Sequence, residues 1–175
     1  MKVETSTITK MLLSDLDRLD PVTVLIDNFE PGKGKITIEC YGQCWSNYWG
    51  GMSGMTVQEF FQDCDLSYLT DKLAPELTSE VLADGPELVT AAKNQVKQLM
   101  DDGEIDQLEA VFYLAQIEQS LAADGMKGNE QLLLELFGYE GIYNLPQKPN
   151  HEYEYLCRIL EAIKVAFAEE NDDDK

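Results

Sequence analysis

The sequence predicts an α+β fold: a small antiparallel β-sheet with short helices, followed by an acidic multi-helix region. Three observations predict it. Two β-rich runs, Val22–Phe29 and Ile36–Tyr41, flank a Pro/Gly turn and read as a hairpin. Beyond Pro75 the apolar residues recur at helical spacing. The charge shifts at the same place: residues 1–72 hold 11 acids and 6 bases, residues 73–175 hold 22 and 7. The expected division is residues 1–74, an acidic helical part over 75–170, and a disordered acidic tail over 171–175. At 175 residues and 44% hydrophobic, the chain can bury one good core or two small ones joined tightly.

Taken in order, Val3–Thr9 is β-prone and suits an opening strand or extended arm. Leu12, Leu16 and Leu19 then fall at helical spacing, predicting a short amphipathic turn over Met11–Asp20 that Pro21 stops. Val22–Phe29 is the strongest strand, and Glu30–Lys35 supplies the turn. In the partner strand Ile36, Ile38 and Cys40 point one way, and Thr37, Glu39 and Tyr41 the other. Gly42, Gly50, Gly51 and Gly54 punctuate what reads as an aromatic loop, Trp45–Trp49. Thr56 and Glu59 have the spacing of a capping box, so a helix begins there. Asp65 caps the next, Leu66–Leu73.

In the acidic part, Pro86 suits a first helical turn, with a stripe of Leu88, Ala91, Ala92, Val96, Leu99 and Met100. Asp101-Asp102-Gly103 ends that helix. The next spans Glu104–Ala122, with Ile105, Leu108, Val111, Phe112, Ala115 and Leu121 as its expected buried face, broken at Asp124-Gly125. Asn129 caps a short helix through Phe137, which Gly138 stops. A loop with Tyr139, Tyr143, Pro146 and Pro149 leads to a last helix, His151–Glu169. Tyr155, Ile159, Ala162, Ile163 and Phe167 form its buried stripe.

The formal charge of −20 repels nucleic acid and anionic membranes and attracts basic protein surfaces. No run approaches the roughly 18–20 apolar residues that cross a bilayer, and the N-terminus lacks a secretory pattern. A cytoplasmic protein is therefore expected. Cys40, Cys44 and Cys64 sit within one stretch, and a strand separation of four puts Cys40 and Cys44 on one face. That arrangement suits burial as well as metal, and a zinc site wants two close pairs. The four cysteines read as free thiols, with no metal and no cofactor. His151 is the only histidine, and nothing local pairs it with a thiol, so no catalytic residue is assigned. The aromatic loop has two readings, a core lid or a partner contact. Stacking on single-stranded nucleic acid fails on charge, because no Lys or Arg lies between Gln43 and Asp71.

The segments ECYGQCWSNYWGGM (Glu39–Met52) and TVQEFFQDCDLSYLTDKL (Thr56–Leu73) resemble small accessory proteins encoded in tailed phages and prophages of enteric bacteria. The segment YLCRILEAIK (Tyr155–Lys164) resembles the closing helix of the same group. That resemblance implies a dispensable phage product acting inside a bacterial host, in a class that includes anti-CRISPR and anti-restriction inhibitors. The function expected on these grounds is non-enzymatic: an acidic, DNA-mimicking inhibitor that binds a host defence complex with a basic surface. Its expected partner-binding residues are Asp101, Asp102, Glu104, Asp106 and Glu109, with Trp45, Tyr48 and Trp49 as an apolar anchor. Two alternatives stand beside it: a regulatory or structural phage adaptor whose acidity serves solubility, and a cysteine- or acid-dependent enzyme.

Overall fold

The computed structural model describes residues 1–3, 5–122 and 128–173. The architecture is α+β, in two compact units. One contains Met1–Ser79 and His151–Lys175, the other Glu80–Asn150.

The first unit holds a four-stranded antiparallel meander, β1 (Thr9–Leu13), β2 (Val22–Glu30), β3 (Lys33–Cys40) and β4 (Gln43–Trp49), in that spatial order. The hairpin of β2 and β3 closes at Glu30 and Lys33 around Pro31-Gly32, with Gly32 at φ 81°. The segment Met11–Asp20 is not the expected helical turn. Its start pairs with β2, Leu13 opposite Val22, and the positive φ of Asp15 (57°) and Arg18 (54°) interrupts any helix beyond. An open strand edge supplied hydrogen-bond partners that three spaced leucines did not outweigh.

The aromatic loop is also corrected. Trp45–Trp49 lies within β4, paired to β3 from Gly34↔Trp49 to Cys40↔Gln43. Tyr41 and Gly42 carry positive φ (47° and 77°), the conformation of a two-residue type I′ hairpin turn. Gly42 is thus the turn of a hairpin, and the aromatic run behind it has the side chains that strands favour.

The inner face of this sheet is the expected alternation: Val22, Val24 and Ile26 on β2, with Ile36, Ile38 and Cys40 on β3, are all buried. Helices α1 (Val57–Asp63) and α2 (Leu66–Leu73) cover it. The capping box of α1 is present, with the Glu59 N–H donating to Thr56 Oγ1 (3.3 Å) and the Thr56 N–H to Glu59 Oε2 (2.8 Å). The Thr56 N–H and then the Thr56 hydroxyl (2.9 Å), both donating to Glu59 Oε2, hold that carboxyl below its ordinary value. Asn28 of β2 also accepts from the Val57 N–H at 2.8 Å, tying the helix start to the sheet. Asp65 caps α2 by accepting from the Tyr68 N–H at 2.7 Å.

The last helix, α6 (His151–Asp173), completes the first unit's core. Leu156, Ile159, Leu160, Ile163 and Phe167 are buried in the same cluster as Phe61 and Leu69. Phe61 and Phe167 meet edge to face at 5.6 Å. Gln62 donates to the Lys164 carbonyl, and Lys164 Nζ to that of Cys64. The composition shift at residues 74–75 and the compact units therefore do not coincide: α6, though acidic on its outer side, packs with the sheet. Residues 171–173 of the expected tail fall in this helix, and 174–175 lie outside the described residues.

The second unit contains α3 (Pro86–Asp101), α4 (Gln107–Ala122) and α5 (Glu130–Gly141), and a two-stranded ribbon of β5 (Glu80–Leu82) and β6 (Gln147–Pro149). Three paired residues leave too short a pattern to read from sequence. Pro86 opens α3, and Gly103, at φ 74°, follows its end. Asn129 caps α5 by accepting from the Leu132 N–H, and Gly138 breaks its helical geometry (φ 66°) before it resumes to Gly141. The break expected at Asp124-Gly125 lies outside the described residues.

The face assigned to α4 is reversed. Ala110 and Ile117 are buried, with Tyr113 and Leu114 packed beside them, whereas Leu108, Val111 and Phe112 are exposed. Ile105 precedes the helix and packs on this core, and Ala115 is exposed. The helix is apolar on two opposite sides, so periodicity alone selects neither. The side chain of Leu121 is outside the described residues.

Candidate functional site

Asp101, Asp102, Glu104, Asp106 and Glu109 are all exposed, around the turn that joins α3 to α4. The turn exists because Gly103 takes a left-handed conformation and Glu104 N–H bonds back to the Leu99 carbonyl at 2.9 Å. No Lys or Arg occurs between Lys97 and Lys127, and none of the five acids forms an ion pair among the described residues. Their charge therefore faces solvent without local compensation.

Two of the five also have a local structural task. Asp106 Oδ1 accepts from the N–H groups of Leu108 (2.7 Å) and Glu109 (2.9 Å), while the Asp106 N–H donates to Glu109 Oε2 (2.9 Å). This is a capping box for α4, legible as Asp-x-x-Glu but hidden by an expected start at Glu104, three residues before Gln107. Asp106→Ala is expected to lower the stability of the second unit by about 0.5–2 kcal/mol, and Asp106→Asn to keep most of it. Urea denaturation followed by circular dichroism checks this. Equal losses in both variants would show that charge, not capping, holds the helix start.

The aromatic trio is divided by strand alternation. Trp49 is buried and meets Phe60 at 5.5 Å, so it is core. Tyr48 lies on the outer face of the sheet, 54% exposed and 5.9 Å from the ring of Phe29. Trp45 is half-buried and lines a concave site of about 470 Å³. The three do not form one contact surface.

That concave site lies within the first unit. β4 contributes Gln43 and Trp45, the segment after α2 contributes Glu76 and Leu77, and α6 contributes His151, Glu152, Tyr155 and Arg158. The Arg158 guanidinium lies 5.4 Å from the centre of the Tyr155 ring, within cation–π range. The Tyr155 hydroxyl lies 3.4 Å from Cys40 Sγ, and that hydrogen bond, with burial, pushes the phenol up to about 12. Two aromatic side chains, Trp45 and Tyr155, line this hollow together with side chains of both charge signs. Sequence reading assigned Tyr155 to the core stripe of α6 and gave Arg158 and Leu77 no role. They are brought together only by packing α6 beside β4.

His151 is 89% exposed and pairs with Glu154 at 3.0 Å. Cys40 is buried at the end of β3, whereas Cys44 is exposed on β4 beyond the type I′ turn, so they do not share a strand face. Burial pushes the Cys64 thiol up, which disfavours its nucleophilic thiolate. Among the described residues no three His, Cys, Asp or Glu side chains are grouped to hold a metal ion. No helix among them is long and apolar enough to cross a membrane.

Comparison with known proteins adds one finding. Residues 1–169 match the family model Phage_phiTE_072, described as a phage family. No curated protein and no solved structure matches the chain.

Proposed function

We propose, from the premise that the chain belongs to this phage family, that it is a non-enzymatic interaction protein of the infected cell's cytoplasm. It binds a basic, nucleic-acid-binding surface of a host defence complex, of the kind that anti-CRISPR and anti-restriction inhibitors occupy. The observation that supports this reading is the exposed acidic turn, Asp101, Asp102, Glu104, Asp106 and Glu109, with no base between Lys97 and Lys127. Carboxylates so presented stand in for phosphates, and competition with DNA follows from charge. Such binding weakens with salt, because screening shortens from roughly 10 Å at 0.1 M to 3 Å at 1 M.

The test is an affinity capture from bacterial lysate with the full chain and with D101N/D102N/E104Q, a set that spares the capping pair. The expected result is recovery of a nucleic-acid-binding complex that high salt or added DNA displaces and that the triple variant recovers poorly. A partner retained at high salt and by the triple variant would favour the adaptor reading, in which acidity serves only solubility.

A further inference from the structure

Helix α4 carries more apolar surface than its own unit covers. Its inner side, Ala110, Leu114 and Ile117, packs with α3 and α5. On the opposite side Leu108 is 81% exposed, and Val111 and Phe112 are 62% exposed. With Ala115 they occupy positions i, i+3, i+4 and i+7, one continuous stripe two turns long. A helix apolar all round is ordinarily a covered helix. At the stripe's N-terminal end a shallow hollow is lined by Asp106, Gln107, Leu108 and Val111, so an apolar floor meets a carboxylate rim.

We propose that this outer face of α4 is the apolar anchor of the acidic surface, and that its occupant is a basic amphipathic helix of the partner. The inference rests on the interaction-protein reading above and replaces the aromatic anchor assigned from sequence. Stripe spacing selects a helix, since i, i+3, i+4, i+7 anchors are what a facing helix interdigitates with. Charge selects the basic partner. Asp101 to Glu109 lie at one end of the stripe, and Glu109 and Glu118 flank it, with Lys93 paired to Glu118 at 3.7 Å. A second copy would set these acids against their own kind; lysine or arginine flanking an apolar stripe meets them with opposite charge.

The probe is a fluorescein-labelled leucine/lysine amphipathic peptide about five helical turns long. Its anisotropy is read with the full chain, at low and high salt, beside a leucine/glutamate peptide of the same pattern. The wild type is expected to bind the lysine peptide and not the glutamate one. L108Q/F112Q should lose about tenfold or more at both salt levels, as truncated interface anchors do. D101N/D102N/E104Q should weaken binding mainly at low salt. Both sites are exposed, and unchanged circular dichroism shows the variants folded. Loss with the charge variant but not with L108Q/F112Q overturns this proposal and leaves the acidic reading standing. Failure to bind the lysine peptide, or equal binding of the glutamate peptide, also overturns it. So does a dimer in sedimentation that L108Q/F112Q dissociates, since a second copy would then be the occupant.

Discussion

Phe167→Ala is expected to destabilise the first unit by about 3–5 kcal/mol, the usual cost of emptying a buried phenylalanine site. Phe167 is 1% exposed, and its ring meets that of Phe61, itself fully buried. The loss is large against the total of about 5–15 kcal/mol that domains ordinarily hold. Both tryptophans, Trp45 and Trp49, lie in the first unit, so their fluorescence reports that unit alone. Urea titration should shift the fluorescence midpoint strongly, while circular dichroism also records α3, α4 and α5 of the second unit. An unshifted fluorescence midpoint would remove α6 from the sheet's core, although α6 follows the second unit in sequence.

Gly34→Ala should cost about 1–3 kcal/mol, the range for overpacking a filled interior. Gly34 is buried on β3, and a Cβ there would sit 2.4 Å from Val57 Cγ2 and 2.8 Å from the Asp27 carbonyl oxygen. The first neighbour is a side chain, the second a backbone. Val57→Ala, itself destabilising, should therefore restore part of the loss and not all of it. The double variant G34A/V57A would then be more stable than the sum of the single costs implies. Additive costs in denaturant titration would mean that α1 does not press on β3 at this point.

The acidic turn and the outer face of α4 belong to the same unit and adjoin along one helix, and in the recognition proposed above they would divide the work by physical type. Solvated carboxylates give long reach and salt sensitivity, but little net affinity per charge. An exposed apolar stripe gives short-range affinity that salt barely alters. Under that proposal, the charge speeds encounter with a basic surface and the stripe slows release from it. That division is why the charge variant and the apolar variant are expected to differ in salt dependence.

Local chemistry was legible wherever a residue acts on its own neighbours. Thr56 with Glu59, Asp65 before Leu66 and Asn129 before Glu130 place helix starts through bonds spanning three residues, and Pro86 does so through its fixed φ. The alternation of Ile36, Ile38 and Cys40 likewise named the buried side of β3, since strand geometry fixes which neighbours share a face. The acids at the α3–α4 turn could be marked as exposed for the same local reason: carboxylates without bases nearby stay in water.

What the sequence by itself determined, then, is the α+β class, the β2–β3 hairpin, most helix starts and the acidic field. The tertiary structure decided the rest. Met11–Leu13 became strand because the edge of β2 offered backbone partners, and Trp45–Trp49 became strand because β3 offered them too. The same pairing split Trp45, Tyr48 and Trp49 among cavity, outer face and core. Helix α6 joined the sheet's core because its apolar side meets Phe61 and Leu69. Helix α4 buried Ala110 and Ile117, and left Leu108, Val111 and Phe112 outside, because α3 and α5 cover only one of its two apolar sides. In each case local preference was divided between two answers, and long-range contacts chose between them.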